Sequence, residues 1–142
     1  MIWNKDTVYP KLFGEFSCIY ALENRKNGKV YIGRAEKYTP RLSAHYYTLK
    51  KGTHSNVEMQ RDFDEGHDFE VKILCTFQHD FDARREEMAL ETFFIVKYKA
   101  VEKGYNKSYN FNNKECAIKA ILANAEYICR QMIFEDVVEI NP

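Results

Sequence analysis

Nothing in the sequence approaches the roughly eighteen consecutive apolar residues by which a membrane-spanning helix is recognised, and residues 1–10 contain no apolar h-region. The expectation is a protein that is neither secreted nor membrane-embedded and that works in the cytoplasm. An excess of one charge is missing too: 21 Lys and Arg balance 21 Asp and Glu, so no global field marks out a nucleic-acid partner. Cysteine is sparse and scattered. Cys18, Cys75, Cys116 and Cys129 form no C-x-x-C pair and keep no zinc spacing with histidine, which excludes a disulfide framework and a structural zinc. Internal repeats and low-complexity tracts are also lacking.

The 142 residues are one domain's worth of chain, 45% apolar and 15% aromatic, enough for a real core. Charge is unevenly placed within them. Residues 1–60 carry ten basic and five acidic side chains, and residues 61–142 carry eleven and sixteen, a net of +5 against −5. The N-terminal part is therefore the better place for an anionic ligand.

That part holds the stretch around which the rest is arranged: Cys18-Ile19-Tyr20, ten residues containing Asn27-Gly28, then Tyr31-Ile32-Gly33. Two apolar, aromatic-bearing runs about an Asn-Gly turn predict a β-hairpin, with strands over 16–22 and 29–33. Alternate side chains of such a pair share a face, so a tyrosine from each strand can reach one spot. Taken alone, the hairpin reads first as core.

Thr39-Pro40 then opens a helix that runs to Lys51 and stops at Gly52. Leu42, Tyr46 and Leu49 form its apolar stripe, while Arg41 and His45, four apart, share another that can point at a ligand. Ser55 and Glu58 match a capping box for a second helix over 57–65, ended by Gly66. Phe69, Val71 and Ile73 alternate with Asp68, Glu70 and Lys72, the period of a half-buried third strand over 68–77 whose partner stays open. Asp80 and Asp82 are candidate caps for a central helix over 83–99, and a last helix over 114–132 carries an apolar stripe for core packing or self-association. The tail from Phe134 to Ile140 is expected to add an edge strand. The fold class is α+β: a small three-stranded antiparallel sheet flanked by helices, with an extra C-terminal helix.

Within the central helix Glu91 stands among apolar neighbours on both sides. An unpaired buried carboxylate costs several kcal/mol, so such a residue is exposed, paired or bound to a cation. Beside a tyrosine hairpin the reading moves to a metal ligand. Asn106, in Gly104-Tyr105-Asn106, sits in a turn-type sequence where a local Asx-turn is the ordinary use.

Together these residues resemble the GIY-YIG nuclease family, and most closely the catalytic domain of its phage intron-encoded homing endonucleases. The resemblance covers residues 16–110 of a single domain, leaving 111–142 as a C-terminal helix and tail. It implies that Tyr20 closes the first motif and Tyr31 opens the second, with Gly33 giving close backbone approach. It makes Arg41 the helix arginine, His45 the histidine one turn on, His54 the histidine of the following link, Glu91 the metal-binding glutamate and Asn106 the asparagine of the closing motif. Two positions depart from the family's pattern: Cys18 stands where glycine is usual, and Arg34 where a small or hydroxylated residue is usual. Arg34 is expected to add a phosphate contact.

The implied chemistry is hydrolysis of DNA phosphodiesters. One of the two tyrosines acts as general base, a role its ordinary pKa near ~10 makes poor unless cations lower it. Arg41's planar fork suits the scissile phosphate. Glu91 would hold one Mg²⁺, with Mn²⁺ able to substitute, while His54 orients the tyrosine or relays a proton. DNA is the expected partner, with homo-oligomerisation through the last helix as a possible addition. Homing members attach a separate DNA-binding region, for which the residues after Asn110 are too few. The expectation is a small stand-alone phage or mobile-element endonuclease. An oligomeric restriction-type enzyme, a partner-dependent repair nuclease and a non-catalytic DNA-binding module are the alternatives.

Overall fold

Four antiparallel strands form one sheet in the order β1-β4-β2-β3: β1 (Ile2–Trp3), β2 (Ser17–Asn24), β3 (Val30–Ala35) and β4 (Phe69–Phe77). The structure is a computed structural model that describes residues 1–8 and 14–140, with 133–140 described by their backbone alone. Three of the strands are the expected ones. The fourth, β1, pairs Trp3 with Phe69 and is too short for any alternation to show in the sequence. The open partner of β4 is resolved as β2, with Leu22 opposite Val71.

Helices cover both faces of this sheet. Leu42, Tyr46 and Leu49 of α1 (Tyr38–Lys51) and Met59 and Phe63 of α2 (Val57–Asp64) pack on the face bearing Tyr20, Leu22, Phe69 and Val71. Full burial of each such apolar side chain contributes about 2 kcal/mol. On the other face, Ile19, Ala21, Ile32 and Cys75 meet Ala89, Leu90, Phe94 and Ile95 of α3 (Arg84–Lys97), which follows a single 3₁₀ turn. Ile128 of α5 (Ala125–Ile140) joins this second core, and α4 (Lys114–Ala123) precedes it.

A bulge sets the sidedness of β4. Ile19 lies opposite Cys75 but Tyr20 lies opposite Ile73, so Leu74 is an extra residue. One inserted residue inverts every side chain beyond it. Phe69 and Val71 therefore enter the α1/α2 core, whereas Cys75 and Phe77 enter the α3/α5 core. Ile73, expected inside, is 44% exposed.

Several element ends differ from expectation, each for a local reason. The helix α2 is capped by Asn56, whose side chain accepts from the Met59 amide, and not by Ser55. Glu58 pairs instead with Lys29 and Lys107. Lys37 occupies the N-cap position of α1, and Thr39, one residue inside the helix, donates to the Gly14 carbonyl at 2.8 Å. The last helix is two: Asn124 interrupts it, its side chain donating back to the Ala120 carbonyl at 2.8 Å. The backbone of 134–140 continues α5 as helix, so no edge strand forms there. Gly52 ends α1 with φ 79°, a left-handed conformation that glycine adopts without steric cost.

Candidate active site

β3 is an outer strand of the sheet, and α1 from one layer and α3 from the other bring their polar side chains to it. Tyr20 of β2 faces Gly33 of β3 in the register, and a Cβ at Gly33 would overlap the Tyr20 ring. The missing side chain is what lets that ring lie across the neighbouring strand toward α1. Tyr31, on the same face of β3, stands 6.4 Å from it between ring centroids.

From α1, His45 Nε2 lies 2.6 Å from Tyr20 Oη, and Arg41 Nε donates to the same oxygen at 3.4 Å. Arg41 acts on the Tyr31 hydroxyl as well, and the two phenols hold its guanidinium above its ordinary pKa. His54, in the link to α2, stacks on His45 with its Nε2 2.8 Å from His45 Nδ1. That link is pinned by Gln60, whose Oε1 accepts from the His54 amide at 2.9 Å while its Nε2 donates to the Leu49 carbonyl.

Burial pushes the Tyr20 and Tyr31 phenols up, with Arg41 working against it in both. Burial also drives His45 down to about 3, helped by His54 and then Arg41, and it lowers His54 with Arg41's help. Both imidazoles are therefore neutral at pH 7. The unfolded chain protonates His45 near 6.5 and the folded chain only near 3, so within that window the unfolded state binds more protons. Stability is expected to be complete above about pH 6.5 and to fall as pH drops, by at most about 1.4 kcal/mol per unit from this one group. Urea unfolding at pH 7 and pH 5 checks this against His45→Gln, whose acid slope should be shallower. An unchanged slope would assign the acid loss to carboxylates.

Glu91 of α3 is half-buried, and its Oε1 accepts from Asn110 Nδ2 at 3.1 Å. Burial raises its carboxyl above the usual range, opposed by the charge of Arg34, the Asn110 hydrogen bond and the charge of Arg41. With Tyr31, His54, Asn106 and Asn110 it lines a cavity of about 300 Å³. Among the described residues no three His, Cys, Asp or Glu converge as a closed metal cage. A lone carboxylate on a roomy polar cavity suits a hard cation that keeps most of its waters, the mode of Mg²⁺, and does not suit zinc.

Asn106 does not contact Glu91 through any hydrogen bond of the described residues. Its Oδ1 accepts from the Ile32 amide at 2.8 Å and its Nδ2 donates to the Ile32 carbonyl at 2.9 Å. Asn110 is the amide that reaches the carboxylate, and nothing in its spacing singles it out; it has φ 69°, a conformation asparagine tolerates better than most residues. Arg34 points to the α3 side of β3, two residues along from Ile32. Its Nη1 is buried without a partner among the described residues, and it lines a second cavity of about 650 Å³ with Lys37, Arg41 and His79. The first amides of α1 are already taken there, Tyr38 by the Phe16 carbonyl and Thr39 by that of Gly14. Three basic side chains, Arg34, Lys37 and Arg41, against one carboxylate, Glu36, therefore set the charge of this groove, and not helix amides.

The description "GIY-YIG catalytic domain" attaches to a family model that matches residues 16–106. The chain belongs to the GIY-YIG family. Intron-associated endonuclease 1 of Enterobacteria phage T4 is 36% identical over 91 residues, 63% of this chain. The match spans only 36% of that relative's own length. Among solved structures, the catalytic domain of the homing endonuclease I-TevI superposes with a TM-score of 0.58 at 33% identity, over 65% of this chain and 98% of that one. A variant of the same catalytic domain gives 0.57 at 31% identity, over 66% and 94%. The GIY-YIG domain here has the expected α+β class with four strands where three were expected. Asn110, α4 and α5 lie beyond the matched residues. Among the described residues no helix is long and apolar enough to cross a membrane.

Proposed function

We propose that this GIY-YIG domain is a DNA endonuclease that hydrolyses phosphodiester bonds with the help of one divalent cation, as a homing-like enzyme of phage or mobile-element type acting in the cytoplasm of its host. The observation that carries this reading is the meeting of Tyr20, Tyr31, Arg41, His45, His54 and Glu91 at one outer strand, from the hairpin, from α1 with the link after it, and from the distant α3.

Arg41 is placed to hold the scissile phosphate through non-bridging oxygens, since its fork stays charged at any working pH. The tyrosine pair supplies the general base: Tyr31 borders the Glu91 cavity and a further one, of about 240 Å³, that it shares with Arg41, His45 and His54, and Tyr20 lies fully buried behind it. Arg41 is the group that lowers both phenols against burial, so it also prepares the base. Glu91 would hold the Mg²⁺, or Mn²⁺ in its place, which when bound supplies Lewis-acid stabilisation of the phosphate and the leaving oxygen. Arg34's unpartnered Nη1 and the groove it shares with Lys37 and Arg41, where Glu36 is the one carboxylate, give the flanking phosphates a basic wall. Gly33 leaves the space that the Tyr20 ring occupies beside Arg41 and His45. Asn106 holds β3, and with it Tyr31, in place.

The test is incubation of supercoiled plasmid with the protein in Mg²⁺ and in EDTA. Nicked or linear DNA in Mg²⁺ alone is the expected outcome. Absence of cleavage at low salt with several divalent metals would overturn the reading in favour of a partner-dependent module or a binding protein. Linear product formed in one step requires two copies, for which the exposed Ile118 and Leu122 of α4 offer a surface.

A further inference from the structure

We infer that the hydrogen-bond string running from α2 to Tyr20 has a fixed polarity, set by the backbone amide of Asn56, which makes His45 a donor to Tyr20 and not an acceptor of its proton. The inference rests on the reading of Tyr20 as part of a nuclease site.

The Asn56 N–H lies 2.9 Å from His54 Nδ1. A backbone amide can only donate, so Nδ1 of His54 must carry a lone pair, and the one ring proton of a neutral His54 sits on Nε2. That nitrogen is 2.8 Å from His45 Nδ1, to which it then donates. His45 Nδ1 is thereby an acceptor, and its own proton sits on Nε2, the atom 2.6 Å from Tyr20 Oη. Every link points the same way. A charged imidazole would break the string, because it would present N–H to the Asn56 amide or to its neighbour ring, and burial keeps both rings neutral.

At the end of the string Tyr20 Oη receives two hydrogen bonds, from His45 Nε2 and from Arg41 Nε. Two donors on one phenol oxygen favour negative charge on it, offsetting the burial that opposes that charge. Aligned donors also polarise one another, so the pull on Tyr20 exceeds that of an isolated imidazole. Asn56 is thus a positioning residue acting through His54 and His45. Its φ of −85° and its place as the cap of α2 hold the amide on target. Gln60 fixes the backbone of His54 from below.

The experiment is long-range ¹H–¹⁵N correlation of the histidine rings in the full chain at pH 7. Expected are Nε2–H tautomers for both His45 and His54; a proton on Nδ1 of His45, or a charged ring, would overturn the inference. Asn56→Pro deletes the donor at a φ that proline tolerates, and it should convert His54 to a mixture of tautomers. Asn56→Ala removes the cap but retains the amide, and both rings should keep Nε2–H. Equal tautomer populations in the proline variant and the parent would also overturn the inference. If the proline variant does not fold, the parent spectrum decides by itself. The measurement needs no turnover, so an inactive protein would sink the nuclease reading and leave the string's polarity tested independently.

Discussion

Glu91→Ala is expected to abolish plasmid cleavage in Mg²⁺, by about 10³-fold or more, while leaving melting temperature and DNA binding close to those of the parent. The carboxylate is half-buried, is held by a neutral amide from Asn110 and is pushed toward its protonated form by burial. A group in that position gives the fold little, so its loss should not unfold the chain. On the proposed reading it offers an oxygen ligand on the cavity it shares with Tyr31 and His54, and losing that oxygen would remove the seat of the cation. Cleavage assays of parent and variant across a Mg²⁺ titration check this. Cleavage at the parent's rate would overturn the metal role of Glu91, and restored activity at high Mg²⁺ would reduce it to one ligand among several.

Arg41→Ala is the second large effect, a loss of roughly 10² to 10³ in kcat, the size seen when one transition-state donor is removed. The side chain is exposed at one end and bonded to Tyr20 at the other, so the fold should tolerate its truncation. Two consequences of one deletion then compound. The phosphate loses its cation, and both phenols lose the neighbour that lowers them, so the alkaline rise of the pH–rate profile should move upward. Arg41→Lys would retain charge without the fork and recover only part of the rate. Single-turnover kinetics at saturating DNA distinguish the cases: a defect confined to KM would make Arg41 a residue that positions DNA.

Much of the frame could be read from residue patterns, because the pattern and the packing there have the same period. The Tyr20/Tyr31 hairpin, the apolar stripe of α1 and the stop at Gly52 all follow local rules that the tertiary structure leaves intact. Other features escape such rules. The two residues of β1 cannot display a period. The bulge at Leu74 preserves local alternation on each side while exchanging the faces, so Cys75 reads in sequence as sharing Val71's face although it enters the opposite core. Ser55 and Asn56 are both good caps, and only the path of the chain chooses between them. Asn124 divides an apolar stripe that reads as one helix.

In the site, the contrast is between groups defined by their own oddity and groups defined by geometry. Glu91 stands out as a charge among apolar residues, and Arg41 and His45 by their helical spacing. Asn110 has no such mark, and its position on Glu91 depends on a turn that brings 18 residues of chain back onto α3. The donor that orients the histidines is a peptide N–H, a group every residue but proline carries, so no sequence could advertise it.

The paired hydrogen bonds between Asn106 and Ile32 have a consequence outside chemistry. An outer strand with free amides and carbonyls is a template on which a strand from another molecule can grow, the first step toward aggregates and domain-swapped pairs. Here a side-chain amide imitates the peptide group of that missing neighbour, offering a carbonyl and an N–H in the required order. The Tyr105 amide occupies the Val30 carbonyl next to it. A foreign strand meets a margin already spoken for, and the side of the sheet nearest the cavities can stay open to a ligand without being open to another copy's backbone.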